Sequence, residues 1–171
     1  MIYKDKEMIL NFLNGSGEDH LGRKYQDILA WSNAQLEDCH DQIQWIFPLH
    51  EESSMAENYP ILTPEIVNEA KDKGNEDILW NLTIASNRFK RFLGIGAFKD
   101  AECIERCFVN GNHNLLRVTR IIRCLRLFGL DYEAILFYRE AYMVALALGI
   151  DDITLIYWNK ARFEDPWETL R

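Results

Sequence analysis

The chain predicts an all-α fold, a single compact bundle of about seven or eight helices over residues 1–171. Three observations predict it. Apolar residues recur at helical spacing through most of the sequence. Capping residues and glycines punctuate those runs where helices should start and stop. No stretch alternates apolar and polar residues as a half-buried strand would, and no internal repeat or low-complexity segment interrupts the pattern.

Taken in order, residues 3–13 carry Met8, Ile9, Phe12 and Leu13 on one helical face, and the run 14–17, Asn-Gly-Ser-Gly, breaks the chain. Tyr25, Ile28, Leu29 and Trp31 form a short amphipathic turn. Ser32 followed by Gln35 is a capping-box pattern, predicting a helix that runs to Phe47 and ends at Pro48. Residues 49–62 read as a polar loop with no period. Thr63-Pro64-Glu65 combines a capping hydroxyl, a proline at the first helical position and an acid in the first turn, so a helix starts there and stops near Gly74. Residues 76–93 place Leu79, Leu82, Ile84, Phe89, Phe92 and Leu93 on a broad apolar face, with Gly94 and Gly96 as the stop. A short helix over 101–108 and an Asn110-Gly111 turn follow. Then come a helix over 112–128, one over 132–148 capped by Asp131 and stopped by Gly149, and a last one from Asp151 to Phe163.

A chain of 171 residues can bury a real core without metals or disulfides. Its net charge of −8 argues against broad electrostatic capture of nucleic acid or anionic membrane. No apolar run approaches the roughly 18 residues a membrane helix needs, and no secretory signal is visible, so a cytoplasmic location is expected. Cys39, Cys103, Cys107 and Cys124 are expected as buried free thiols; Cys103 and Cys107 have a possible metal spacing, but no second Cys/His pair accompanies them.

The 112–128 helix is the oddest segment. Leu115, Val118, Ile121, Ile122, Leu125 and Phe128 form a core-facing stripe, yet Leu116, Cys124 and Leu127 share the opposite side with His113, Arg117, Arg120 and Arg123. A helix apolar on so much of its circumference tends to be central. Its arginines then need carboxylates or a ligand anion, because an unpaired buried charge is costly. Two readings stand. In one, acids such as Glu37, Asp38, Asp41, Glu133 or Glu140 pair with these arginines and lock the bundle. In the other, His113, Asn114, Arg117, Arg120 and Arg123 line a pocket for an anionic small molecule, aided by backbone N–H groups at the helix start.

A second dense stretch is residues 39–49, Cys-His-Asp-Gln-Ile-Gln-Trp-Ile-Phe-Pro-Leu. On a continuous helix His40 and Gln44 would share a face, beside Trp45. Those groups suit either a flat polar ligand or a buried hydrogen-bond network. With Trp158 as a second aromatic wall, they complete a candidate pocket for a nucleotide or similar anion.

Residues 40–49 resemble the HDYIQWLFPL segment of the opioid growth factor receptor conserved region. Residues 112–130 resemble that family's HNHLRITRIL…LGL segment, and Gly22-Arg23, residues 27–32 and Tyr157-Trp158 match its pattern in order. Gln42 stands where the family motif has tyrosine. The resemblance implies an intracellular helical domain. Animal members are described as receptors for an enkephalin peptide with a further repeat-bearing tail, whereas this chain ends soon after the matched region, so the receptor role is not carried over.

No phosphate-binding loop, nucleophile elbow or metalloprotease helix is present, and no cofactor is implied. The expectation leans against an enzyme. It favours a binding module for a small anionic ligand such as a nucleotide, with a protein- or peptide-interaction domain as the alternative.

Overall fold

The structure, a computed structural model, describes residues 2–3, 5–53, 57–72 and 74–170. Among these it is all-α, with ten α-helices and two strands of two residues each. The elements are β1 (Ile2–Tyr3), α1 (Lys6–Asn14), α2 (Tyr25–Leu29), α3 (Asn33–Asp38), α4 (Gln42–Ile46), β2 (Tyr59–Pro60), α5 (Pro64–Ala70) and α6 (Glu76–Leu93), followed by a 3₁₀ turn (Gly96–Phe98), α7 (Ala101–Cys107), α8 (His113–Leu127), α9 (Asp131–Leu148) and α10 (Asp152–Phe163). No helix among the described residues is long and apolar enough to cross a membrane.

The chain divides into two compact units, residues 1–85 and 86–171, with α6 crossing the boundary. In the first unit α1 packs on α2 and α5, and β1 pairs in parallel with β2, Ile2 opposite Tyr59 and Tyr3 opposite Pro60. The core is aromatic: Phe12 meets Tyr25 and the edge of Trp45, and Tyr3 meets Trp45, all at centroid distances of 5.3–5.4 Å. Asn81 of α6 donates to the carbonyl of Leu13 (2.9 Å), satisfying an orphan acceptor at the end of α1. Lys6 reaches Glu65 (3.0 Å) and Glu69 (2.8 Å), a surface link between α1 and α5.

Helix starts follow the capping chemistry. Asp5, Ser32, Thr63, Asp100, Asn112 and Asp151 each accept a backbone N–H with the side chain, and Ser32 with Gln35 forms a full capping box. Asp131 differs: it is the first helical residue of α9, behind Leu130, and serves as a first-turn acid. The expected 32–47 helix is broken. Cys39 turns extended (φ −95°, ψ 116°), so α3 and α4 are separate pieces. The reason is a distant contact: the Asp41 carboxylate is drawn to Arg23, 18 positions away, and does not cap α4. The expected loop at 49–62 contains β2, which is too short for any alternation to signal; its residues 54–56 lie outside the described ones. The helix begun at Thr63 stops at Ala70, a turn short of Gly74.

In the second unit α9 and α10 pack on α8. Ten of the 15 residues of α8 are buried, including Arg117 and Arg123, and Leu116 is its one large exposed apolar residue. Phe89, Phe92, Phe128, Phe137 and Trp158 complete this core.

Removing the α3 cap should be felt directly. Ser32→Ala deletes an acceptor for the Gln35 N–H and should cost about 1 kcal/mol, read as a lowered urea midpoint at unchanged slope.

Candidate functional site

The residues singled out from sequence fall in both units. Trp45 is fully buried. Its Nε1 donates to the Asn58 carbonyl (3.2 Å), and the His20 ring stacks on it at 5.6 Å and 15°. It is a core residue, not an exposed stacking wall. His40 is exposed and lies in the break between α3 and α4, so it does not share a helical face with Gln44. Gln44 is buried. Its amide faces the carbonyls of His40 and Asp41, which accept and cannot donate, so the NH₂ belongs on that side at 3.0 Å from each. The other amide atom then meets the Ser53 hydroxyl, which can donate to an oxygen there.

The first unit holds a constellation that sequence reading did not assemble. Arg23 donates from Nε to Asp19 (2.6 Å) and in bidentate fashion to Asp41 (3.1 and 2.9 Å). Asp19 also accepts the backbone N–H groups of Leu21 (2.9 Å) and Arg23 (3.0 Å), closing the turn that presents the arginine. The Cys39 thiol donates to Asp41 (3.0 Å), His20 Nε2 lies 3.5 Å from the same carboxylate, and Trp31 faces the guanidinium at 5.7 Å. Burial alone would raise the Asp41 carboxyl, but the bonds from Arg23 and Cys39 outweigh it and hold Asp41 below the ordinary carboxylate range. Burial, then Asp41, push the Cys39 thiol up, so it stays protonated and acts as a donor. One signal was legible: Asp19 and Arg23 stand four apart with opposite charge. The Asp41 arm spans 18 positions, which no periodicity reveals.

In the second unit, Asn112 caps α8 by accepting the Asn114 N–H (2.8 Å). Arg117 donates to Asn114 Oδ1 (3.1 Å) and lies over the Phe92 ring at 5.5 Å. Arg106 approaches the same ring at 4.7 Å and donates to the Phe92 carbonyl (2.8 Å). His113 and Arg120 are half-buried. Arg123 donates to the Glu168 carbonyl (2.9 Å). Arg126, not among the expected site residues, donates to the carbonyls of Ala161 (2.9 Å) and Glu164. Trp158 is fully buried, its Nε1 donating to the Leu115 carbonyl (3.1 Å) and its ring edge-on to Phe108. Arg123, Arg126 and Trp158 thus tie α10 and the residues after it to α8. The four cysteines are free thiols, three buried and Cys39 half-buried. No cluster of potential metal ligands occurs among the described residues.

The Arg23 clamp has a pH signature. Arg23→Met leaves two carboxylates short of a donor and should lower stability at pH 7 by on the order of 2 kcal/mol. A carboxylate held below its unfolded pKa contributes fully above that pKa, about 3.9 for Asp, and the contribution is lost as pH falls through the folded value. The gap in urea midpoint between wild type and Arg23→Met should therefore be widest at neutral pH and narrow from pH 4 toward pH 2. A constant gap across that range would contradict the clamp.

The sequence profile of the family described as the opioid growth factor receptor (OGFr) conserved region matches residues 10–161. A curated human protein, "Opioid growth factor receptor", is 31% identical over 150 residues, covering 78% of this chain and 22% of the human protein. The chain thus matches only about a fifth of that relative's length. No solved structure matches. With the profile covering most of its length, the chain belongs to the opioid growth factor receptor conserved-region family.

Proposed function

We propose that this chain is a non-enzymatic interaction domain for a protein or peptide partner, with the α8 arginines serving the fold. One observation carries the reading. Arg123 and Arg126 direct their guanidinium N–H groups at main-chain carbonyls of Glu168, Ala161 and Glu164, which leaves those donors committed inside the protein. A guanidinium engaged in this way is a poor phosphate grip, because an incoming anion must displace bonds whose carbonyls then stay unsatisfied. Arg126 adds a carboxylate to its carbonyl partners, with Asp131 Oδ1 at 3.7 Å from its Nε. Exposed apolar side chains on α9 and α10, among them Tyr132, Met143, Ile153 and Phe163, supply surface of the kind a partner covers.

The competing reading, a pocket for a small anion such as a nucleotide using His113, Asn114, Arg117 and Arg120, is separable by thermal shift. With phosphate, ATP or a cyclic dinucleotide at millimolar concentration, the melting temperature should move by less than about 1 °C, since mass action stabilises only what binds. Arg123→Met should lower stability by about 1–3 kcal/mol with or without those anions. A saturable rise in melting temperature that disappears in Arg117→Met would overturn the protein-partner reading and restore the anion pocket.

A further inference from the structure

Helix α9 is apolar on two faces. Ala134, Phe137, Ala141 and Ala145 are buried on one. At 100° per residue, Tyr132, Ile135, Arg139, Met143 and Leu146 fall within about 80° of arc on the opposite side. All five are exposed, Tyr132 and Met143 by 69% and 63%. This second stripe runs about 20 Å along the helix. Arg139 is its one charged member.

A cleft of about 410 Å³ opens beside the stripe, lined by Ile95, Ile104, Met143 and Val144 with Lys99, Arg139 and Glu140. The chain leaving α6 makes it. Gly94 and Gly96 take positive φ (74° and 67°), and a Cβ on Gly96 would stand 2.4 Å from the Glu140 carboxylate, so glycine lets the turn close on α9. Lys99 also sits at positive φ (29°), the one non-glycine residue to do so among those described. Glu140 is neutralised by the largely buried Lys90 at 2.9 Å. Lys99 and Arg139 are exposed and have no ion pair among the described residues, so the cleft is apolar within and positive at its edge.

We infer that the α9 stripe and this cleft together form a docking groove for an amphipathic helical segment of a partner protein, apolar along one ridge and carrying carboxylates beside it. The inference rests on the protein-partner reading above and names its surface. Three features select the occupant. The stripe's length fits about four turns of helix rather than a small molecule, and the cleft accepts one large apolar anchor. The two unpaired cations match carboxylates. A second copy is disfavoured: isologous pairing would set Arg139 and Lys99 against themselves in a chain of net charge −8.

The test uses the full chain and two fluorescein-labelled helical peptides with the same leucine ridge, one flanked by glutamate and the other by lysine, read by anisotropy. The glutamate peptide should bind about fivefold tighter or more in low salt, and the preference should shrink in 0.5 M salt, as expected for exposed charges. Arg139→Glu should reverse the preference, and Met143→Glu should abolish binding. Both residues are exposed, so both variants should keep the wild-type melting temperature. Absence of any preference for the acidic peptide overturns the inference. So does binding of sodium octanoate or of phosphatidylserine vesicles in competition with the peptide, or self-association in sedimentation that Met143→Glu abolishes. Peptide binding that survives Met143→Glu but is lost in Ile156→Glu, on α10, overturns the groove and leaves the protein-partner reading standing. No peptide binding together with an anion-dependent thermal shift overturns both.

Discussion

A guanidinium withdrawn from water keeps five N–H donors and a charge, and each must be answered by the surrounding chain. That requirement organises each unit separately. In the first, Arg23 gathers Asp19, Asp41 and the Cys39 thiol, and the pull on Asp41 ends one helix before the next begins. In the second, Arg123 and Arg126 collect carbonyls at the far end of α10 and beyond it. The last turn of a helix always leaves carbonyls without an intrahelical partner. A long basic side chain from a neighbouring helix meets that need.

The same economy explains why α8 can be central although it carries four arginines between Arg117 and Arg126. Its apolar residues face α9 and α10, and two of its cations reach past them to backbone oxygens. Trp158 does the reverse from α10, donating its indole N–H to the Leu115 carbonyl within α8. These links run in both directions between the two helices, so a change at either should be transmitted to the other. The outer face of α9 differs: Tyr132, Ile135, Met143 and Leu146 stand exposed there.

Belonging to the opioid growth factor receptor conserved-region family accounts for the motif pattern without assigning a partner. Within this chain, two motif pieces that are far apart in sequence meet in one interaction: Arg23 of the Gly22-Arg23 pair clamps Asp41, which follows His40. The late Tyr157-Trp158 pair divides its labour, Trp158 buried and bonded to α8, Tyr157 on the surface. These matched residues are accounted for by packing and hydrogen bonding. The exposed apolar stripe of α9 and the cleft beside the 94–99 turn lie outside the quoted motifs.

By itself the sequence determined the helical class and most helix ends. Local chemistry carries that information: Thr63 before Pro64, Asp151 before α10, Gly149 at φ 69° after α9, and the Ser32–Gln35 box all act within four residues. It also determined that α8 is buried on most sides, because an apolar circumference has nowhere else to go. Tertiary structure alone decided the break at Cys39, the β1–β2 pairing, and the roles of the unusual polar residues. Each of these depends on a partner many positions away: Arg23 for Asp41, Tyr3 for Pro60, Glu168 for Arg123. Periodicity reports which face of a helix is apolar. It carries no information about which distant acceptor a long side chain will reach.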